Sequence, residues 1–143
     1  MSADYQFVVP GQPQPKQRPR VVRHAGRSIA YTPPATASFE LRVALASSHI
    51  PDLAGPLKVI VTAVFKRPEG KRKKGREGLM WRPRRPDVDN VGKAVLDGLS
   101  GKLEDGEVVS LWLRKVDCEI GGEPRTVVKI WRLDPEGDPE VLA

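Results

Sequence analysis

The chain has 143 residues, 39% of them hydrophobic and 29% charged, with 24 Lys and Arg against 18 Asp and Glu for a net charge of +6. That length suits one domain with a core of its own, while the single Cys118 excludes an internal disulfide and a Cys-based zinc site, and only two His, His24 and His49, 25 residues apart, argue against a His metal centre. No apolar run approaches the ~20 residues of a membrane span, and the N-terminus carries no signal pattern, so the expected location is a reducing cytoplasm.

Tyr5 to Val9 is a short β-prone run closed by Pro10-Gly11. Four prolines between residues 10 and 20 exclude regular structure there and predict an extended basic loop. Residues 21–32 fit a small hairpin turning at Ala25-Gly26. Pro33-Pro34 opens a helix that carries Phe39, Leu41, Val43 and Leu45, and Pro51 stops it. Leu57 to Phe65 is the clearest strand, rich in β-branched residues. Residues 66–85 have no apolar period and read as a mobile basic loop.

Asp87 to Leu99 predicts a second helix, because Val91, Ala94, Val95, Gly98 and Leu99 share one face. Asp89 or Asn90 is its expected N-cap, and Ser100-Gly101 its stop. Val108 to Val116 and Thr126 to Leu133 read as two strands joined across Gly121-Gly122, an antiparallel hairpin. From Asp134 onward the tail looks frayed. The expected fold is α+β: one domain over residues 1–133, with a single mixed sheet, two helices on one of its faces and a C-terminal antiparallel hairpin.

The charge is unevenly distributed: +4 over residues 1–39, 0 over 40–65, +8 over 66–85 and −6 over 86–143. The basic parts point to a polyanion. The acidic part holds Asp87-Val88-Asp89-Asn90, then Lys93, then Glu104-Asp105-Gly106. In an extended segment Asp87 and Asp89 would share a face, and Lys93 would emerge one helical turn later. Facing carboxylates repel unless a hard cation neutralises them, and oxygen ligation without His or Cys favours Mg²⁺, with Mn²⁺ able to substitute. Such an ion activates water and polarises a phosphoryl group, and a lysine beside it can stabilise the charge that develops. Phosphodiester hydrolysis is the matching chemistry.

Simpler readings exist for the same residues. Asp87 and Asp89 could cap a helix, Asp105 before a Gly could be a turn residue, and Lys93 could lie on a solvated helix face. Trp81 could stack on a base or anchor its loop, and the pattern favours the anchor. Trp112 and Trp131, inside strands, read as packing residues. His24, His49 and Cys118 read as structural. No Walker loop, G-x-G-x-x-G, G-x-S-x-G or zinc motif occurs.

The stretch from Arg85 to Gly101, with its P-D-x-D-N-x-x-K-x-x-x-D block, followed by Leu103-Glu-Asp-Gly-Glu-Val-Val, resembles the signature of the RusA-type Holliday junction resolvases. Gly11 to Arg20 and Tyr31-Thr-Pro resemble the phage-type members. The likeness spans about residues 5–132. It implies a homodimeric, Mg²⁺-dependent endonuclease that nicks four-way DNA junctions symmetrically, with Asp87, Asp89 and Asp105 as metal ligands and Lys93 as the essential lysine. Asn90, Asp97 and Glu104 would support the site. Glu104 stands where the family has the first of two aspartates, and Gly92 where a larger residue is usual. The DNA backbone would be held by Lys16, Arg18 and Arg20, by Lys71, Arg72, Lys73, Lys74 and Arg76, and by Arg82, Arg84 and Arg85. Two alternatives use the same residues: a non-catalytic DNA-binding or recombination accessory module, and a less selective flap nuclease.

Overall fold

The computed structural model describes residues 2–69 and 76–137. Its element order is β1 (Tyr5–Pro10), β2 (Arg20–His24), β3 (Arg27–Tyr31), α1 (Pro34–Ala46), β4 (Leu57–Phe65), β5 (Met80–Trp81), α2 (Val88–Gly98), β6 (Val108–Asp117) and β7 (Arg125–Arg132). The fold is α+β, and the five-stranded sheet is mixed in the order β1-β7-β4-β6-β5. β4 pairs parallel with β6 and antiparallel with β7.

The most apolar strand takes the centre, where both of its edges are paired. Its alternation sets the core: Leu57, Val59, Val61 and Ala63 are buried on one face. Phe7 and Val9 of β1, with Val128 and Ile130 of β7, continue that face. Phe39 and Val43 of α1, with Ala94 and Val95 of α2 and Leu99 just beyond it, close the core from above. Both helices cover this one face, as the apolar spacing predicts.

Two expectations change in detail. β6 and β7 run antiparallel and are joined across Gly121-Gly122, but they do not form a hairpin, because β4 lies between them. The α2 crossover lays β6 parallel on one edge of β4 and leaves the other edge for β7. The second half of the basic segment is anchored, not loose. β5 pairs with β6, the Arg82 amide donates to the Lys115 carbonyl, and buried Arg67 donates to the carbonyls of Cys118, Arg76 and Gly78. Residues 70–75, the first part of the expected mobile loop, and 138–143 of the expected frayed tail lie outside the described residues.

The hairpin at residues 21–32 is present as a separate two-stranded ribbon, β2 with β3. Its turn places Ala25 at φ 52° and Gly26 at φ 77°, the pair of positive φ values that matches strand twist in a two-residue loop. Every residue of β2 and β3 is exposed, so the ribbon projects from the body.

The two helices approach closely at Gly98, where an added Cβ would stand 2.6 Å from Val43 Cβ and 3.0 Å from the Glu40 carbonyl oxygen. Backbone and a β-branched side chain cannot move aside cheaply. Gly98→Ala is therefore expected to lose about 1–3 kcal/mol despite the better helix propensity of Ala, measured by urea denaturation.

Candidate active site

The segment ahead of α2 is fixed by charged side chains of β6 and by Arg82, just after β5. Lys115 Nζ donates to the carbonyls of Arg84 and Pro86, both at 2.6 Å. Arg82 Nε donates to the Arg85 carbonyl at 3.0 Å. Asp117, only 3% exposed, accepts from Arg82 Nη1 at 2.8 Å and from Arg84 Nη2. The Arg82 guanidinium also lies over the Phe65 ring, 4.5 Å from its centroid. The chain therefore enters α2 from a held position.

Asp87 is the N-cap of α2, with an extended backbone at φ −67° and ψ 140°, where the sequence pointed to Asp89 or Asn90. Its side chain makes no capping bond. Asp89 and Asn90 fall in the first turn, so the run 87–89 is not an extended strand, and Val88 is half-buried at the helix start. Asp87, Asp89 and Lys93 are all exposed, and among the described residues none of the three has an ion-pair or hydrogen-bonding side-chain partner. Two free carboxylates and an ammonium one turn later thus stand at the positive end of a helix.

Asp105 does not join them within one chain. It opens a single 3₁₀ turn, Asp105–Glu107, with Glu104 as its cap, after the far end of α2. That turn leads into Val108, which pairs with Leu57 at the start of β4, whereas Lys115 clamps the carbonyls before Asp87. The intervening strand residues of β6 span roughly 23 Å at 3.3 Å each. Among the described residues no group of three His, Cys, Asp or Glu side chains is placed to hold a metal ion.

The expected DNA contacts divide. Lys16 is taken up by Glu40 at 2.6 Å and Asp97 at 2.9 Å, and its amide donates to the Asn90 carbonyl at 2.8 Å. It fastens the proline-rich segment to both helices, and Asp97 serves that pair. Arg82 and Arg84 are committed to Asp117. Arg18, Arg20, Arg76 and Arg85 are exposed, and Lys71, Arg72, Lys73 and Lys74 lie outside the described residues.

Residues 10–131 match the model of the family described as "Endodeoxyribonuclease RusA". The chain belongs to the RusA endodeoxyribonuclease family. It is also similar to a protein of Bacillus subtilis (strain 168) printed as "Uncharacterized protein YqaN", with 33% identity over 135 residues, covering 87% of this chain and 93% of that one. The family match takes in the proline-rich segment, both helices and the Asp105 turn. Gly92, the unusual small residue in the signature helix, has a packing reason: a Cβ there would meet Leu113 Cδ1 of β6 at 2.5 Å. No helix of the described residues is long and apolar enough to cross a membrane.

The RusA-family signature did not mark Lys115 and Asp117, which hold the entry to α2. The available signal was a change along β6: Leu113, Lys115 and Asp117 share one face, and that face turns from apolar to charged where the helix cover ends. Asp117→Asn should cost about 3 kcal/mol in urea denaturation, since it leaves two guanidinium groups without their carboxylate. Lys16 has its pKa raised above the ordinary 10.5, first by the Glu40 hydrogen bond and then by Asp97, against the opposing effect of burial. A cation held above its unfolded value contributes stability below that value and loses it as pH rises through the folded one. The wild type should therefore lose more stability than Lys16→Met as pH is raised through and above 10.5, read from urea midpoints.

Proposed function

We propose that this protein is a divalent-metal-dependent endonuclease that nicks branched DNA, four-way Holliday junctions foremost, and that it works as a homodimer. The observation that carries the reading is the pair Asp87 and Asp89: exposed, with no side-chain partner among the described residues and no side-chain capping bond at the N-cap Asp87, and held at the end of α2 beside Lys93. Family membership supports DNA as the substrate. The acidic donor set, oxygen only, suits Mg²⁺ or Mn²⁺.

One chain supplies two of the three expected carboxylates at that end and the third at the other. A two-fold axis that sets α2 antiparallel to its copy would bring Asp105 of each protomer toward Asp87 and Asp89 of its partner. The separation along β6 is the argument for that partner. When bound, a divalent ion would lower the pKa of a water and polarise the scissile phosphate. Asp87, Asp89 and the partner's Asp105 would hold it. Lys93 would stabilise the negative charge on the phosphate as attack proceeds. Arg18, Arg20 and Arg85 would hold the flanking backbone and carry no sequence information. Two such sites related by symmetry would give the paired nicks.

Asp89→Asn should abolish junction cleavage in Mg²⁺ while junction binding stays, measured by gel assays of both. Mixing Asp89→Asn protein with Asp105→Asn protein tests the shared site. Half of randomly reassorted dimers are mixed, and each holds one intact site, so roughly a quarter of wild-type nicking should return, as single nicks. Sites built within one chain would give no recovery.

A further inference from the structure

Among the described residues, most of the sheet face opposite the helices is left uncovered; only toward one end are its side chains Val64 and Val116 buried, beside Cys118. The side chains pointing to it follow from register. β7 presents Val127, Lys129 and Trp131, β4 presents Lys58, Ile60 and Thr62, and β6 presents Ser110, Trp112 and Arg114. β1 adds Gln6 and Val8 at one edge and β5 adds Trp81 at the other. All three tryptophans of the sequence are therefore on this face. Trp81 is 71% exposed and Trp112 55%, so neither is the anchor or packing residue its sequence position indicated.

The charge on the face has one sign. Lys58, Lys129 and Arg114 stand among the tryptophans, and no Asp or Glu occupies an outward strand position. Arg125, at the rim, is already paired with Glu119 at 3.1 Å. Lys58 lies between two indoles, its Nζ 4.9 Å from the Trp112 ring centroid and 5.1 Å from that of Trp131. It keeps its charge beside the faces of both rings. Toward β5 the face deepens into an open hollow of about 720 Å³ lined by Thr62, Arg114, Trp81, Leu79 and Arg76.

We propose that this open sheet face binds unpaired DNA, with bases stacking on Trp81, Trp112 and Trp131 and phosphates held by Lys58, Arg114 and Lys129. Aromatic rings set among cations on a sheet form a sequence-tolerant stacking surface for single strands. A duplex has its base faces closed, so the surface would select the unstacked strand near a branch point. A second copy of the chain is a poorer occupant, because a two-fold contact would set these cations against one another, and lysine is depleted at the core of protein interfaces. The inference rests on the branched-DNA reading for its biological substrate but not for its measurement.

The experiment titrates oligothymidylate of about 15 nucleotides into the full chain in EDTA, following tryptophan emission and the anisotropy of a labelled strand. Saturable quenching that weakens with salt is expected, because every tryptophan reports on this face. Trp112→Ala and Lys58→Glu should each bind the strand about tenfold more weakly and unfold near the wild-type temperature. Both should still nick a junction with fully paired arms within about twofold of wild type, since neither residue belongs to the site at α2. Unchanged emission, or variants that bind the strand like wild type, would overturn the proposal. So would sedimentation showing concentration-dependent self-association that Trp112→Ala abolishes, which assigns the face to a second copy. Failure of wild type to cut branched DNA would sink the nuclease reading and leave the strand-binding result standing.

Discussion

The entry to α2 depends on one buried charge. Asp117 is almost wholly removed from water and would be costly alone, so it fixes Arg82 and Arg84 against it. Lys115, two residues earlier on the same face of β6, takes the carbonyls of Arg84 and Pro86. Together they stop the chain from entering the helix at an arbitrary angle. The two free carboxylates of Asp87 and Asp89 can then point outward without any cap bond of their own. A loop held only by apolar contacts would let them drift, and repulsion between them would favour the drift.

The same clamp changes the meaning of the basic segment. A net charge of +8 over residues 66–85 reads as a grip for a polyanion. In the fold, Arg67 is buried on three carbonyls and Arg82 and Arg84 are paired with Asp117. Lys16, from the other basic stretch, is held by Glu40 and Asp97. Formal charge therefore overstates the cations open to a ligand. Among the described residues the exposed cations include Arg18, Arg20 and Arg85, and the projecting ribbon adds Arg23 and Arg27.

The length of α2 sets the geometry of the proposed site. Asp87 precedes its first turn and Asp105 follows its end, so one chain holds these carboxylates at opposite ends of one helix. Close approach at Gly92 and Gly98 locks that helix against β6 and α1, which prevents one end from swinging toward the other. Such an arrangement makes symmetry a requirement of the proposed chemistry, and a four-way junction offers a matching symmetry.

Local signals carried much of this structure. β4, both helices and the Ala25-Gly26 turn follow from residue spacing and backbone preference, because apolar period and φ limits act over a few residues. The signature around Asp87, Asp89, Lys93 and Asp105 also follows from sequence, since its chemistry depends on residue type. Strand neighbours did not follow: that β4 separates β6 from β7 depends on which edges the longest apolar strand must cover. Partners of Lys16, Arg82 and Arg84 were equally hidden, because an ion pair between residues tens of positions apart leaves no local mark. The sequence by itself determined most of the elements and the residue types of the acidic block. Only the tertiary structure decided which charges are spent on holding the fold, which tryptophans face outward and how far apart one chain keeps its carboxylates, since these depend on distances that chain order does not encode.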